Sequence, residues 1–179
     1  NSIEVMEAID TLKGNGPSDL KELVLNMAAL SLMHLKNISF EEAINLSTIN
    51  LNNGSAYQKF KDMVLYQHGN LSSINISNDI IEIKSDKSGY IKNIDALKIG
   101  ELARNLGAGR LTKEDIIDPS VGILLTKKVG DFINSGETLM KIYYNKNRNN
   151  VISSDKILSY YEIVDDKIIK PTLIYRVIK

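Results

Sequence analysis

The sequence contains no cysteine, so neither a disulfide framework nor a thiolate metal site can form. It also lacks an excess of either charge, because 22 Lys and Arg residues balance 22 Asp and Glu residues. A neutral chain has no overall field to attract DNA, RNA or an acidic membrane surface. Apolar runs such as Val121–Leu125 are far shorter than the roughly 20 residues that cross a bilayer. We therefore expect a cytoplasmic protein that binds neither nucleic acid nor membrane.

The first residues lack both an initiating methionine and a basic-then-apolar leader. They already read as a helix entered in mid-protein, because Ile3, Met6, Ile9 and Leu12 keep an apolar spacing of three residues. We therefore expect the chain to be a fragment or a processed product of a longer protein.

The chain up to about residue 69 has the periodicity of helices. Gly14 and Gly16 end the first one, and the apolar positions between Leu20 and Leu35 recur at helical spacing without an internal Gly or Pro. Ser39 precedes two acidic residues as an N-cap, which predicts a third helix to about Ile49. A fourth is expected from residues 54–55 to about residue 69.

After Gly69 the texture becomes that of strands, with β-branched residues interleaved with polar ones. A short helix closed by Gly107 interrupts them. The expected fold class is α+β, with a helical segment in residues 1–69 and a mainly β domain in residues 70–179. The strands are predicted around the following positions: Ile74 to Ile83, Tyr90–Ile94, Val121–Val129, Leu139–Tyr144, Ile168–Ile169 and Leu173–Ile178.

Residue chemistry alone names no reaction. His34 and His68 lie on separate predicted helices without a nearby nucleophile, so they do not have the spacing of a catalytic triad. The doublets Glu41-Glu42 and Asp165-Asp166 are typical of solvated charge, and Glu7 by pattern alone is a surface carboxylate of a helix. We accordingly predict no catalytic or cofactor-binding residue in this chain.

Two short segments allow a binding function to be considered. Residues 107–110, Gly-Ala-Gly-Arg, place successive amides beside a cation, but they lack the Lys-Ser/Thr of a phosphate loop and follow a helix, so a helix stop is the simpler interpretation. Lys141 lies among glycine turns, as in small β modules that carry biotin or lipoate. Its place between Leu139 and Ile142 in an alternating strand instead favours a solvent-facing lysine.

Three collinear stretches resemble the pyrimidine-nucleoside and thymidine phosphorylase family. Residues 1–20 are similar to its pattern N-x-x-E-V-x-E-A-I-x-x-L-x-G-x-G-P-x-D-L. The second stretch is Leu106-Gly-Ala-Gly-Arg-Leu-Thr-Lys-Glu-Asp115, followed by Ile117-Asp118 and Val121-Gly-Ile123. The third is Lys127-Lys-Val-Gly-Asp131 with Gly136-Glu-Thr-Leu139. The match covers nearly the whole chain and places it in the C-terminal part of that family.

The resemblance implies a pentosyltransferase of pyrimidine salvage, in which phosphate displaces the base of uridine, thymidine or deoxyuridine and leaves a pentose 1-phosphate. It implies a homodimer, with residues 1–69 in the late helices of the α/β domain and residues 70–179 in the C-terminal α+β portion. The family's phosphate- and base-binding residues would all precede Asn1, so this part alone should be inert.

One functional position carries over by the resemblance. Glu7 matches the glutamate that binds a monovalent cation, potassium, together with upstream backbone carbonyls, and a hard cation does prefer oxygen ligands. Two other hypotheses remain open from the sequence. The chain could be a non-catalytic β-rich binding or carrier-like module, or a structural domain that supports folding and dimerisation.

Overall fold

A computed structural model describes residues 1–148 and 152–177, which form two compact units. The helical unit comprises Glu4–Ile74 and the end of the chain from Thr172 onward. The β-rich unit comprises Asn1–Ile3 and Asn75–Pro171. Helices and small antiparallel sheets together confirm the predicted α+β class. The assignment of residues 70–179 to a single C-terminal domain stays a prediction.

Four helices occupy the first 66 residues, as the periodicity predicted. Gly14 ends the first with a φ of 87°, and Asn37 follows the second in the left-handed region with a φ of 52°. The predicted cap of the third is confirmed, since the Ser39 hydroxyl accepts a hydrogen bond from the backbone N–H of Glu42 at 3.1 Å. The bounds are α1 Ser2–Leu12, α2 Ser18–Lys36, α3 Phe40–Asn52 and α4 Ser55–Tyr66, followed by a 3₁₀ turn at Leu71–Ser73.

The residues described in the β-rich unit form two three-stranded antiparallel sheets with the strand orders β1-β5-β3 and β4-β2-β6. Lys141 in the central strand β5 faces Glu82 of β1 on one side and Leu124 of β3 on the other. The elements are β1 Asp79–Lys84, β2 Gly89–Ile94, α5 Ala96–Ala103, a π turn at Arg104–Ala108, β3 Gly122–Leu125, β4 Phe132–Ile133, β5 Thr138–Tyr144, α6 Ser154–Leu158 and β6 Tyr161–Val164.

The core of the β-rich unit is one cluster of apolar side chains that are shielded from solvent. Among the described residues, nine large side chains are fully buried there, and burial of apolar area is what stabilises a small domain most. They are Ile83, Ile91, Leu106, Val121, Ile133, Leu139, Met140, Ile142 and Ile157. Among the described residues of the helical unit fewer apolar side chains are buried, and two of the four are alanines: Ile9, Leu51, Ala29 and Ala43.

Two predicted strands are wrong. Ile168–Ile169 and the described part of Leu173–Ile178 form no strand, and most of residues 165–177 are exposed. A strand forms only where a neighbouring strand supplies hydrogen bonds, and in the described part of the chain neither segment pairs with one. Ile178 lies outside the described residues.

Further details also differ from the expectation. The first strand begins at Asp79, so Ile74 and Ile76 precede it. The short helix α6, capped by Ser153, and the strand β6 at Tyr161–Val164 were not predicted.

Candidate functional site

Glu7, the predicted metal ligand, is half-buried on α1. Its backbone carbonyl accepts a hydrogen bond from the Thr11 hydroxyl at 2.8 Å, while no described residue donates to its carboxylate. Within residues 1–148 and 152–177, no three His, Cys, Asp or Glu side chains come together as a metal-binding group. Glu7 therefore offers one carboxylate, and its role as a metal ligand stays a prediction.

The glycines of the first motif shape the turn that follows α1. A Cβ on Gly16 would lie 2.0 Å from the Thr11 hydroxyl oxygen and 2.6 Å from the Thr11 Cα. Only glycine permits this close approach of the chain to the last turn of α1. The Gly-Asn-Gly-Pro sequence accordingly sets the path from α1 into α2.

The Gly107–Arg110 turn is organised by an arginine from elsewhere in the chain. Gly107 has a φ of 106°, and a Cβ there would meet the Arg148 guanidinium at 2.4 Å. Arg148 donates to the Ile116 carbonyl at 3.1 Å and lies 4.0 Å from the Asp118 carboxylate. The backbone N–H of Asp118 donates to the Gly107 carbonyl at 2.9 Å. These contacts account for Gly107 as a helix stop that leaves room for Arg148.

Two aspartates fold the loop between this turn and β3. Asp115 accepts hydrogen bonds from the backbone N–H groups of Thr112 and Leu111, which hold the pKa of its carboxyl below the ordinary value. Burial by itself would raise the pKa of Asp118, but hydrogen bonds from Ser120 and Asn145 outweigh it and lower that pKa. The acidic residues of the second motif therefore fix the backbone of this loop.

The third motif supplies the turns that lead into β4 and β5. The Asp131 carboxylate accepts from the backbone N–H of Lys128 at 2.8 Å and pairs with Lys170 at 2.6 Å. Glu137 pairs with Lys127 at 2.6 Å. The charged residues of this motif thus tie turns together and form part of the scaffold.

Lys141, considered as a carrier lysine, lies in the middle of the central strand β5. Its ammonium group is 3.1 Å from the Glu82 carboxylate of β1. A lysine that carries a prosthetic group has to project from a hairpin tip, whereas this one is flanked by strands on both sides. The geometry does not favour the carrier interpretation.

Both histidines lie on the exposed surface, His34 in the last turn of α2 and His68 just after α4. This agrees with their interpretation as helix-surface and helix-end residues. The doublets at 41–42 and 165–166 are likewise exposed.

A cleft of about 420 Å³ in the β-rich unit was not anticipated from the sequence. Asp86, Lys87, Asp155 and Tyr161 are among the residues that line it. The Tyr161 hydroxyl is buried and has no hydrogen-bond partner in the described part of the chain, and burial raises its pKa. Nothing in the local sequence distinguishes Tyr161 from the neighbouring Tyr160, which explains why it was missed.

No helix within the described ranges is both long enough and apolar enough to span a membrane.

Comparison with known proteins matches residues 90–164 to the family model described as the pyrimidine nucleoside phosphorylase C-terminal domain. The chain is 41% identical over 185 residues to the pyrimidine-nucleoside phosphorylase of Staphylococcus aureus strain USA300, across 99% of this chain and 42% of that protein. The corresponding protein of strain bovine RF122/ET3-1 is 40% identical with the same coverage. The chain therefore spans less than half the length of these curated relatives.

Proposed function

We propose that this chain is the C-terminal portion of an enzyme that cleaves pyrimidine nucleosides with phosphate, because it belongs to the pyrimidine-nucleoside phosphorylase family and matches the C-terminal domain of that family. The products would be the free base and a pentose 1-phosphate. The observation that supports this most is the 41% identity over 99% of the chain, which includes the helical unit as well as the matched domain.

Phosphorolysis builds positive charge on the sugar, so the enzyme has to anchor phosphate and stabilise the departing base at fixed positions. We assign both tasks to the part of the protein that precedes Asn1. Residues of the motifs that this chain shares with the family form turns, hydrogen bonds and ion pairs of the scaffold, as Gly107, Asp118 and Asp131 do. The chain alone is then inactive, and its contribution is structural.

Glu7 is the residue of this chain that we place at a ligand site. Its carboxylate would supply one oxygen ligand to a potassium ion, and backbone carbonyls that precede Asn1 would supply the others. The fit is chemical, because a half-buried carboxylate without a described partner suits a hard cation. When bound, the cation would hold together the segments that ligate it.

We further propose a cytoplasmic homodimer for the whole enzyme.

Release of uracil or thymine from nucleoside plus phosphate tests the proposal. The chain would be assayed alone and together with the polypeptide that its gene encodes upstream of Asn1. We expect release only from the combination. Release by the chain alone would contradict the assignment of phosphate and base binding to the part that precedes Asn1. No release by the combination would overturn the phosphorylase assignment.

A second assay tests Glu7 on the active combination. Glu7→Gln should raise the potassium concentration for half-maximal activity about tenfold, as removal of a metal ligand or its support commonly does. Glu4→Gln is the matched control, since Glu4 is an exposed carboxylate on the same helix. Equal potassium dependence of the two variants would remove Glu7 from the site.

A further inference from the structure

Helix α2 is apolar on nearly all sides. From Leu23 to Met33 it contains no charged residue, and this stretch covers about three turns. A helix of this kind in a soluble protein is normally surrounded by other elements. In the helical unit α2 packs against α3, with Ala29 fully buried.

One face of α2 nevertheless remains exposed. It is defined by positions spaced at i, i+3, i+4, i+7 and i+11, which lie above one another on a helix. Met27 is 59% exposed and Leu35 is 82% exposed. We call this surface the outer face of α2, and its members are Val24, Met27, Ala28, Ser31 and Leu35.

The polar side chain of this face, Ser31, forms its hydrogen bond within the helix. The Ser31 hydroxyl donates a hydrogen bond of 3.0 Å to the Met27 carbonyl within the helix. The outer face is therefore a stripe of aliphatic, thioether and small side chains without charge. Such a stripe is suited to being covered by another apolar surface.

We propose that the outer face of α2 is the docking surface for the part of the enzyme that precedes Asn1. This inference rests on the proposed function. The match to the C-terminal domain ends at residue 164, close to the end of the chain. More than half of the relatives' length is not covered by this chain. The greater share of that length accordingly precedes this chain, next in sequence to the helical unit that carries the exposed face.

A second copy of this chain is the competing occupant. The two can be separated because coverage by a copy depends on the concentration of the chain alone. Coverage by the upstream part requires that part to be present and does not change with concentration once the two are joined in one polypeptide.

The experiment measures oxidation of individual methionines by hydrogen peroxide, followed by peptide mass spectrometry. Met27 and Met63 are both exposed in this chain, and Met63 of α4 lies outside the outer face. In the longer polypeptide we expect Met27 to be oxidised at least about tenfold more slowly than in this chain. An unchanged Met27 rate would overturn the proposal, and so would protection that appears in the chain alone as its concentration rises.

Variants of this chain, mixed with the separately expressed upstream part, provide the second measurement. Met27→Glu places a charge on the outer face and should lower the affinity between separately expressed parts by about tenfold or more, as for a central interface residue. Met27→Leu keeps the apolar face and should bind like the unmodified chain, and Met63→Glu is the control outside it. Equal binding by Met27→Glu and Met63→Glu would contradict the proposal. Met27 protection without base release would instead leave the docking surface in place and refute the phosphorylase assignment.

Discussion

The two units of this chain differ in how completely they bury their apolar residues. The described part of the β-rich unit has nine large side chains that are fully buried, spread over both sheets and the helices beside them. The described part of the helical unit has no large side chain buried to that degree, and it exposes many large apolar residues. The β-rich unit therefore has a core of its own, whereas the helical unit has well-formed helices but an incomplete core.

The largest expected effect comes from truncating the same residue type in each unit. Ile142→Ala in the central strand β5 removes a fully buried side chain and should cost about 2–5 kcal/mol in the free energy of unfolding. Ile49→Ala on α3 removes a side chain that is 48% exposed and should cost less than about 1 kcal/mol in this chain. Urea unfolding measures both. Equal losses would break the comparison.

A smaller effect is expected in the turn after α1, a feature of the helical unit that does not depend on its core. Gly16→Ala forces a Cβ against the backbone of Thr11 and should destabilise by about 1–3 kcal/mol. The control is Gly100→Ala in α5, where a Cβ meets nothing within 4 Å and alanine is the better helix former. A Gly16→Ala variant as stable as the Gly100→Ala variant would show that the turn after α1 is not tightly specified.

The next prediction concerns pH and the β-rich unit. The pKa of Asp118 is lower in the folded chain than its unfolded value of about 3.9, so its contribution to stability is present above that value. It is lost as the pH falls through the folded pKa. The difference in unfolding free energy between the unmodified chain and Asp118→Asn should therefore shrink between pH 7 and pH 2. A difference that stays constant would contradict the assigned hydrogen bonds.

The smallest effect is expected at the Lys141–Glu82 pair. Both side chains are more than a third exposed, and such pairs contribute about 0–1 kcal/mol. Lys141→Met should thus leave the stability of the β-rich unit nearly unchanged, as judged by urea unfolding. Intact mass after expression with biotin and lipoate should show an unmodified chain, and an added prosthetic group on Lys141 would revive the carrier hypothesis.

Local signals in the sequence were sufficient to predict the helical part of the fold. The four helices, the Ser39 cap and the glycine stop at Gly107 follow from periodicity and from backbone freedom, both of which are local. The strands predicted at Ile168–Ile169 and in the described part of Leu173–Ile178 do not form, because a strand requires a partner from elsewhere in the chain.

The sites show the same limit. Arg148 beside Gly107 and the buried Tyr161 hydroxyl are brought into place by residues distant in sequence, so no local pattern could reveal them. Glu7 was singled out by a family resemblance, and its assignment depends on groups outside this chain.

Hydrogen exchange of the backbone amides, compared between this chain and the longer polypeptide that contains it, tests the central claim most directly. If the helical unit is completed by the upstream part, the amides of α2 should exchange much more slowly in the longer polypeptide, while those of β5 exchange equally in both. Amides of α2 that are already as protected in this chain as in the longer polypeptide would contradict the account.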